Sequence, residues 1–151
     1  MSAAPFVPAN PEFESVVRES FSHQTMMATL GVGITRLTPG EVDLRLPWSP
    51  AFCQQNGYMH AGAIASVADS ANGYAAYTLA APDTDVLAVE FKINLLAPAR
   101  GTEFLACGRV LRPGRTLQNH PHITRPCAPG PNPMGRLPIR SPPPIAPAGA
   151  G

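Results

Sequence analysis

Near the start of the chain, apolar residues recur at the spacing of one helix face, at Phe13, Val16, Val17 and Phe21. Pro11 suits the first turn of a helix, so the pattern predicts an amphipathic helix over residues 11–28. Gly31 and Gly33 follow this stretch and are expected to mark its end. Residues 1–10 show no periodicity and are interpreted as a flexible leader.

Strict alternation takes over after this helix. Residues 32–37 and 41–46 read as two strands joined by the turn Thr38-Pro39-Gly40, and in the second strand Val42, Leu44 and Leu46 predict a buried face opposite a wet one. Residues 86–96 alternate in the same way, and residues 102–111 follow after another Pro-Gly turn. Antiparallel strands with one long helix between them predict an α+β domain.

The helix between these strands has an unusual composition. Residues 61–81 are mostly Ala, Gly, Ser and aliphatic residues, and Asp69 is the only charged residue among them before the stop at Pro82-Asp83. A helix that is small or apolar on all sides is expected to be buried. Because a buried carboxylate is costly unless it is hydrogen-bonded or used, Asp69 is the first candidate for chemistry.

The composition narrows the function classes. A chain of 151 residues suits one domain, and a net charge of +1 favours neither nucleic acid nor a membrane surface as partner. The three cysteines form no CxxC pair, and no basic and apolar leader begins the chain, which predicts a cytoplasmic protein with free thiols. No apolar run is long enough to predict a membrane span.

The pattern is lost after Leu117. Ten of the last 34 residues are Pro and none is acidic or aromatic, so residues 118–151 are predicted to be a disordered tail following a domain at 11–117. The abrupt change also suggests a reading-frame change, which strand-like sequence in another frame of the gene would support. As a minor alternative, Pro126-Cys127-Ala128-Pro129 fits the PxxP pattern of a partner ligand.

Four sequence segments together resemble the PaaI-type acyl-CoA thioesterases of the hotdog superfamily. They are the run Gly57-Tyr58-Met59-His60-Ala61-Gly62, the run Ala68-Asp69-Ser70-Ala71, residues 89–101, and Gly108-Arg109-Val110 with Gly114-Arg115-Thr116-Leu117. The resemblance covers residues 12–117. It implies a hotdog fold, in which a curved antiparallel sheet wraps a long helix, and a homodimer or homotetramer with its sites at the dimer interface.

The same resemblance implies hydrolysis of an acyl- or aryl-acyl-CoA thioester to the free acid and CoA. CoA would enter only as part of the substrate, with no metal or redox cofactor. The alternative is a catalytically inactive relative that binds acyl-CoA or serves only as an oligomeric or partner-binding module. A hotdog dehydratase is disfavoured, because its different Asp/His motif is not found.

By resemblance, the amides of Ala61 and Gly62 would hold the thioester carbonyl oxygen. Asp69 would act either as the general base or as the nucleophile, and the sequence leaves both open. Gln54 and Asn56 are candidates for orienting substrate or water. His60 is included in the site, with a structural role at the helix start as the favoured reading.

Three further predictions concern binding and the sheet. Arg100, Arg112 and Arg115 lie on turns that could meet the CoA phosphates. Phe21, Met26 and Met27 could line an acyl pocket or belong to the core.

The family has Gly where this chain has Ala61, often has Asn at position 54, and continues with two strands where residues 118–151 now stand. Those strands, here missing or replaced, would leave residues 86–96 without a neighbour.

Overall fold

The computed structural model describes residues 6–112. The tail predicted at 118–151, together with Arg115, lies outside the described residues. The division into leader, domain and tail therefore stays a prediction. Within the described part, Phe6 packs against the turn at Gly40, where a Cβ would come within 2.4 Å of its ring.

The single helix predicted over residues 11–28 is wrong, because the chain forms two helices there. Helix α1 spans Phe13–Ser22 and helix α2 spans Thr25–Leu30. The break lies at His23 and Gln24, whose amides donate to the carbonyls of the last turn of α1, while Gln24 itself turns to an extended backbone. The break lets α1 bury Val17 and α2 bury Met27 and Leu30 in the same core.

Three antiparallel strands form the sheet, in the order β1, β2, β3. Strand β1 spans Gly33–Thr38, β2 spans Glu41–Pro47 and β3 spans Glu103–Arg109. The strands predicted at 32–37, 41–46 and 102–111 are confirmed, with ends shifted by one or two residues. Strand β2 is central, since it pairs with β1 on one side and β3 on the other.

Alternation along β2 buries one face as predicted, since Val42, Leu44 and Leu46 are at most 1% exposed. The prediction that the opposite face is wet fails at Asp43, which is only 8% exposed. The cause is a neighbouring side chain: Arg109 of β3 lies over Asp43 and donates to its carboxylate at 2.5 Å. The charge of Asp43 can be buried here because Arg109, which shields it from solvent, also forms a charge-assisted hydrogen bond with it.

Helix α3 spans Ala61–Tyr77 and packs on β2 and β3. The predicted helix at 61–81 is confirmed in type but ends four residues early. Thr78 closes it: the Thr78 hydroxyl donates to Ala75 O at 2.7 Å and accepts the Gly40 amide at 2.7 Å. The side chain of Thr78 is fully buried, so this end of α3 is joined to the β1–β2 turn.

The strand predicted over residues 86–96 is not formed. The segment makes no strand pairing with any described residue, and it carries six of the ten large exposed hydrophobic residues of the described chain. Alternating side chains favour a strand only when a neighbouring backbone satisfies the N–H and C=O groups. Among the described residues β3 pairs only with β2, so no such neighbour is available to this segment.

Candidate functional site

The start of α3 is built around His60. The ring of His60 caps the helix, with Nδ1 accepting the Gly62 amide at 2.9 Å. The backbone amide of His60 donates to Phe52 O at 2.8 Å. The backbones of Cys53 and Met59 pair as an isolated antiparallel β-bridge across the loop. These bonds fix the loop 53–60 so that the first turn of α3 opens onto the surface.

The two amides predicted to hold a carbonyl oxygen differ in their availability. The Ala61 amide donates to no described residue, as expected for a first helical amide. The Gly62 amide already has an acceptor in His60 Nδ1. The structure therefore places both amides at an exposed helix start, but leaves only the Ala61 amide open to a ligand.

A groove of about 520 Å³ begins at this helix start. Its walls come from α2, from the short 3₁₀ turn Pro50–Phe52 with Cys53, and from the first two turns of α3. The lining residues are Met26, Thr29, Leu30, Ala51, Phe52, Cys53, His60, Gly62, Ala63 and Ser66. Mostly apolar walls with a few polar groups are typical of a small-molecule site.

Asp69 lies beyond the groove on the same face of α3. Gly62, Ser66 and Asp69 follow each other at the i, i+4, i+7 spacing that places side chains on one face of a helix. Asp69 is half-buried and makes no hydrogen bond or ion pair with a described residue. The structure thus leaves the only charged side chain of α3 without a partner in the described part of this protomer.

Gln54 and Asn56 are used within their own loop. Gln54 Oε1 accepts the backbone amide of Asn56, and Gln54 O accepts the amide of Gly57 at 2.9 Å. Gly57 has φ of 80°, a conformation that favours glycine in such a turn. The Gln54 carbonyl oxygen is therefore a turn-forming group, and neither side chain is among those lining the groove.

Arg100 and Arg112, the two described members of the three predicted phosphate-binding arginines, do not come together in one protomer. The guanidinium carbon of Arg100 lies 4.7 Å from the ring centroid of Tyr58, and Arg100 donates a hydrogen bond to the Tyr58 hydroxyl at 2.6 Å. Met59 N also bonds Ala99 O at 3.3 Å, so Arg100 lies beside the site loop. Arg112 lies beyond the opposite end of β3, whose seven residues span about 23 Å.

Of the three residues predicted as candidates for an acyl pocket, only Met26 lines the groove. Met27 belongs to the core, and Phe21 packs edge-on against Tyr74 with centroids 5.5 Å apart. Phe52, Cys53 and Ser66 were missed as groove residues. No local pattern marks them, because three separate elements bring them together.

The described residues contain neither a metal-binding cluster nor a helix suited to cross a membrane. Within residues 6–112, no group of three or more His, Cys, Asp or Glu side chains could hold a metal ion. Over the same residues, no helix has both the length and the apolar character that a membrane crossing requires.

Comparison with known proteins decides the family. The sequence model of the thioesterase superfamily matches residues 56–119, which include the end of the loop 53–60, α3 and β3. A solved thioesterase family protein from Silicibacter pomeroyi is 48% identical, with a TM-score of 0.69, covering 70% of this chain and 78% of that one. This chain belongs to the thioesterase superfamily.

Two further relatives of this thioesterase-family chain have lower sequence identity. A Saccharolobus solfataricus protein named as an esterase is 29% identical over 103 residues, which are 68% of each chain. The Escherichia coli PaaI protein of the phenylacetic acid degradation operon is 18% identical, with a TM-score of 0.64 over 71% of this chain and 76% of its own. At that identity the likeness shows the fold, so the predicted PaaI-type hotdog architecture is confirmed.

Proposed function

We propose that this protein hydrolyses acyl-CoA thioesters, with the acyl group in the groove and the thioester carbonyl at the start of α3. The observation that carries the proposal is the open Ala61 amide, which lies between two residues that line a mostly apolar groove, His60 and Gly62, in a chain of the thioesterase superfamily. A backbone N–H aimed at a developing oxyanion stabilises the transition state of acyl transfer. The volume of about 520 Å³ suits an aryl or medium-chain acyl group.

In the proposed reaction Asp69 drives the attack on the carbonyl carbon. As a base it would take a proton from water while the new C–O bond forms; as a nucleophile it would form that bond itself, and water would release the acid afterwards. In both routes the C–S bond then breaks and the CoA thiol leaves. Its half-buried position without a described partner leaves the carboxylate available for either role.

The spacing along α3 supports a site built from two copies of the chain. Asp69 is eight residues beyond Ala61, which is about 12 Å along the helix axis. A base, its water and the attacked carbon are each separated by about 3 Å, so the base lies about 6 Å from that carbon. Since the carbonyl oxygen sits against Ala61, we propose that each site combines Ala61 of one protomer with the Asp69 side chain of a second copy.

Arg100 is the arginine best placed to meet a CoA phosphate in this arrangement. It is exposed, lies beside the loop 53–60 and is pre-oriented by the ring and hydroxyl of Tyr58. The planar guanidinium suits phosphate oxygens, and the stacked geometry lowers the entropy lost on binding. Arg112 is too distant to share a phosphate with Arg100 in one protomer.

A mixing experiment tests the proposal. Asp69→Asn removes the carboxylate, and Ala61→Pro removes the amide at a first helical position, where proline is tolerated. His60 has φ of −64° and ψ of 136°, a conformation compatible with a following proline. We expect each variant to lose about 100-fold or more of kcat on a panel of acyl-CoAs.

Unfolding and re-annealing the two inactive variants together should restore about a quarter of the wild-type activity. Half of the dimers would be mixed, and each mixed dimer would keep one site with both groups intact. Each variant re-annealed with itself is the control. If both variants are inactive and mixing restores no activity, both groups belong to one protomer and the two-copy site is rejected. A folded wild type that binds acyl-CoA without hydrolysing it would instead support the inactive binding module.

A further inference from the structure

The cap on α3 fixes which nitrogen of His60 carries a proton. His60 Nδ1 lies 2.9 Å from the Gly62 nitrogen, and a backbone amide can only donate. Nδ1 must therefore be the unprotonated nitrogen of a neutral imidazole. The proton of that ring then sits on Nε2.

The second nitrogen is left free to meet a ligand. His60 is exposed, lines the groove, and makes no other side-chain hydrogen bond with a described residue. Its ring belongs to the residue directly before Ala61, whose amide is the open donor of the same helix start. The ring N–H therefore belongs to a residue that lines the groove, and the backbone N–H of Ala61 lies between two such residues, His60 and Gly62.

The glycine at position 62 is explained by the same ring. A Cβ at position 62 would lie 3.0 Å from His60 Nδ1 and 3.4 Å from Cε1, tighter than an ordinary carbon contact. A residue without a side chain is therefore favoured at position 62, because the His60 ring must lie close to the backbone amide of this residue.

We propose that the thioester carbonyl oxygen is held by the Ala61 amide and the Nε2–H of His60, with the Gly62 amide serving to orient the imidazole. The inference rests on the proposed thioesterase function and reassigns the donors within its site. His60 is a catalytic residue in this arrangement, because its ring N–H touches the oxygen on which negative charge develops. Gly62 is a positioning residue that acts through His60.

Substitution by asparagine separates the cap from the donor. In His60→Asn the side-chain oxygen can still accept the Gly62 amide, since asparagine is a favoured N-cap residue, but no ring N–H remains to reach the substrate. We expect His60→Asn to keep the melting temperature within a few degrees and to lose about 100-fold in kcat with little change in KM. His60→Ala should lose kcat and also lower the melting temperature, because the cap on α3 is then missing.

The matched control is His23→Asn, which makes the same change at an exposed histidine between α1 and α2. It should retain wild-type kcat. If His60→Asn also retains kcat while the wild type hydrolyses acyl-CoA, His60 is only a cap and the inference is overturned, although the proposed function stands. If the folded wild type hydrolyses no thioester, both the proposed function and this inference fall.

A spectroscopic readout tests the geometry without turnover. In the full chain labelled with ¹⁵N-histidine, the signals absent from the His60→Asn spectrum identify His60. The expected pattern at neutral pH is a protonated Nε2 and an unprotonated Nδ1. A proton found on Nδ1 would break the bond from Gly62 and overturn the assignment of donors.

Discussion

Gly108 of β3 lies directly against the carbonyl group of Ala71 in α3. A Cβ placed on Gly108 would come within 2.1 Å of that oxygen and 2.4 Å of its carbon. Both groups are backbone, so neither can rotate away. The contact sets how closely the helix approaches the sheet.

Gly108→Ala should therefore separate α3 from β3. Overpacking against backbone destabilises by about 3 kcal/mol, at the upper end of the usual range. The free energy of unfolding from urea titration measures this loss. Gly33→Ala is the control, because a Cβ there meets no atom within 4 Å; equal effects of the two substitutions would contradict the close contact.

The pairing of Asp43 with Arg109 should contribute measurably to stability. Partial burial acts to lower the pKa of Arg109, but the hydrogen bond from Arg109 to Asp43 and the charges of Asp43 and Glu41 raise it above its ordinary value. Asp43→Ala leaves the guanidinium with weaker partners and should cost about 2 kcal/mol. Glu103→Ala, which breaks an exposed pair with Arg45, should cost under about 1 kcal/mol in the same titration.

Tyr77 should make stability fall at alkaline pH. Burial, followed by the negative charge of Asp85, raises the pKa of Tyr77 above 10.0. Above pH 10 the unfolded chain loses this proton before the folded chain does, so the folded state binds more protons and loses stability as pH rises. Unfolding titrations from pH 8 to 11 should show a shallower decline for Tyr77→Phe; identical slopes would show that the phenol does not contribute.

Met26 should control affinity for the acyl chain. Its side chain is 53% exposed and forms part of the groove wall. Met26→Ala removes apolar surface worth about 1 kcal/mol, so KM for a medium-chain acyl-CoA should rise about fivefold while kcat holds. Val7→Ala, an equally apolar change at an 87% exposed position, should leave KM unaltered. A fall in kcat alone would place Met26 outside the binding surface.

Local patterns predicted the elements that depend on local information. The alternation of β2 and the nearly uncharged stretch of α3 were sufficient, because the buried faces of these two elements pack against each other. Residues 86–96 have an equally clear alternation, yet they form no strand. A strand needs the backbone of a second segment, and side-chain pattern carries no information about whether that segment is present.

The break at His23 escaped prediction for a related reason. Neither Pro nor Gly marks it, and the apolar spacing runs on through Met26 and Met27. The chain breaks because both short helices then reach the core, which is a tertiary gain.

Within the candidate site, the sequence predicted the helix start at Ala61 but not the contacts of His60, and Asp69 stays a predicted site residue. The ring reaches the Gly62 amide through one side-chain rotamer, which residue spacing does not specify. The groove is similarly invisible along the chain, since α2, the 3₁₀ turn and α3 contribute to it from distant positions.

The bond from Gly40 to Thr78 has a consequence for how the molecule opens. An amide in a hairpin turn ordinarily exchanges its hydrogen with solvent through small local fluctuations. The Gly40 amide instead donates to a hydroxyl on a fully buried side chain at the end of α3. Its exchange therefore requires the helix and the hairpin to come apart together, which makes a turn residue one of the slowest reporters of global unfolding.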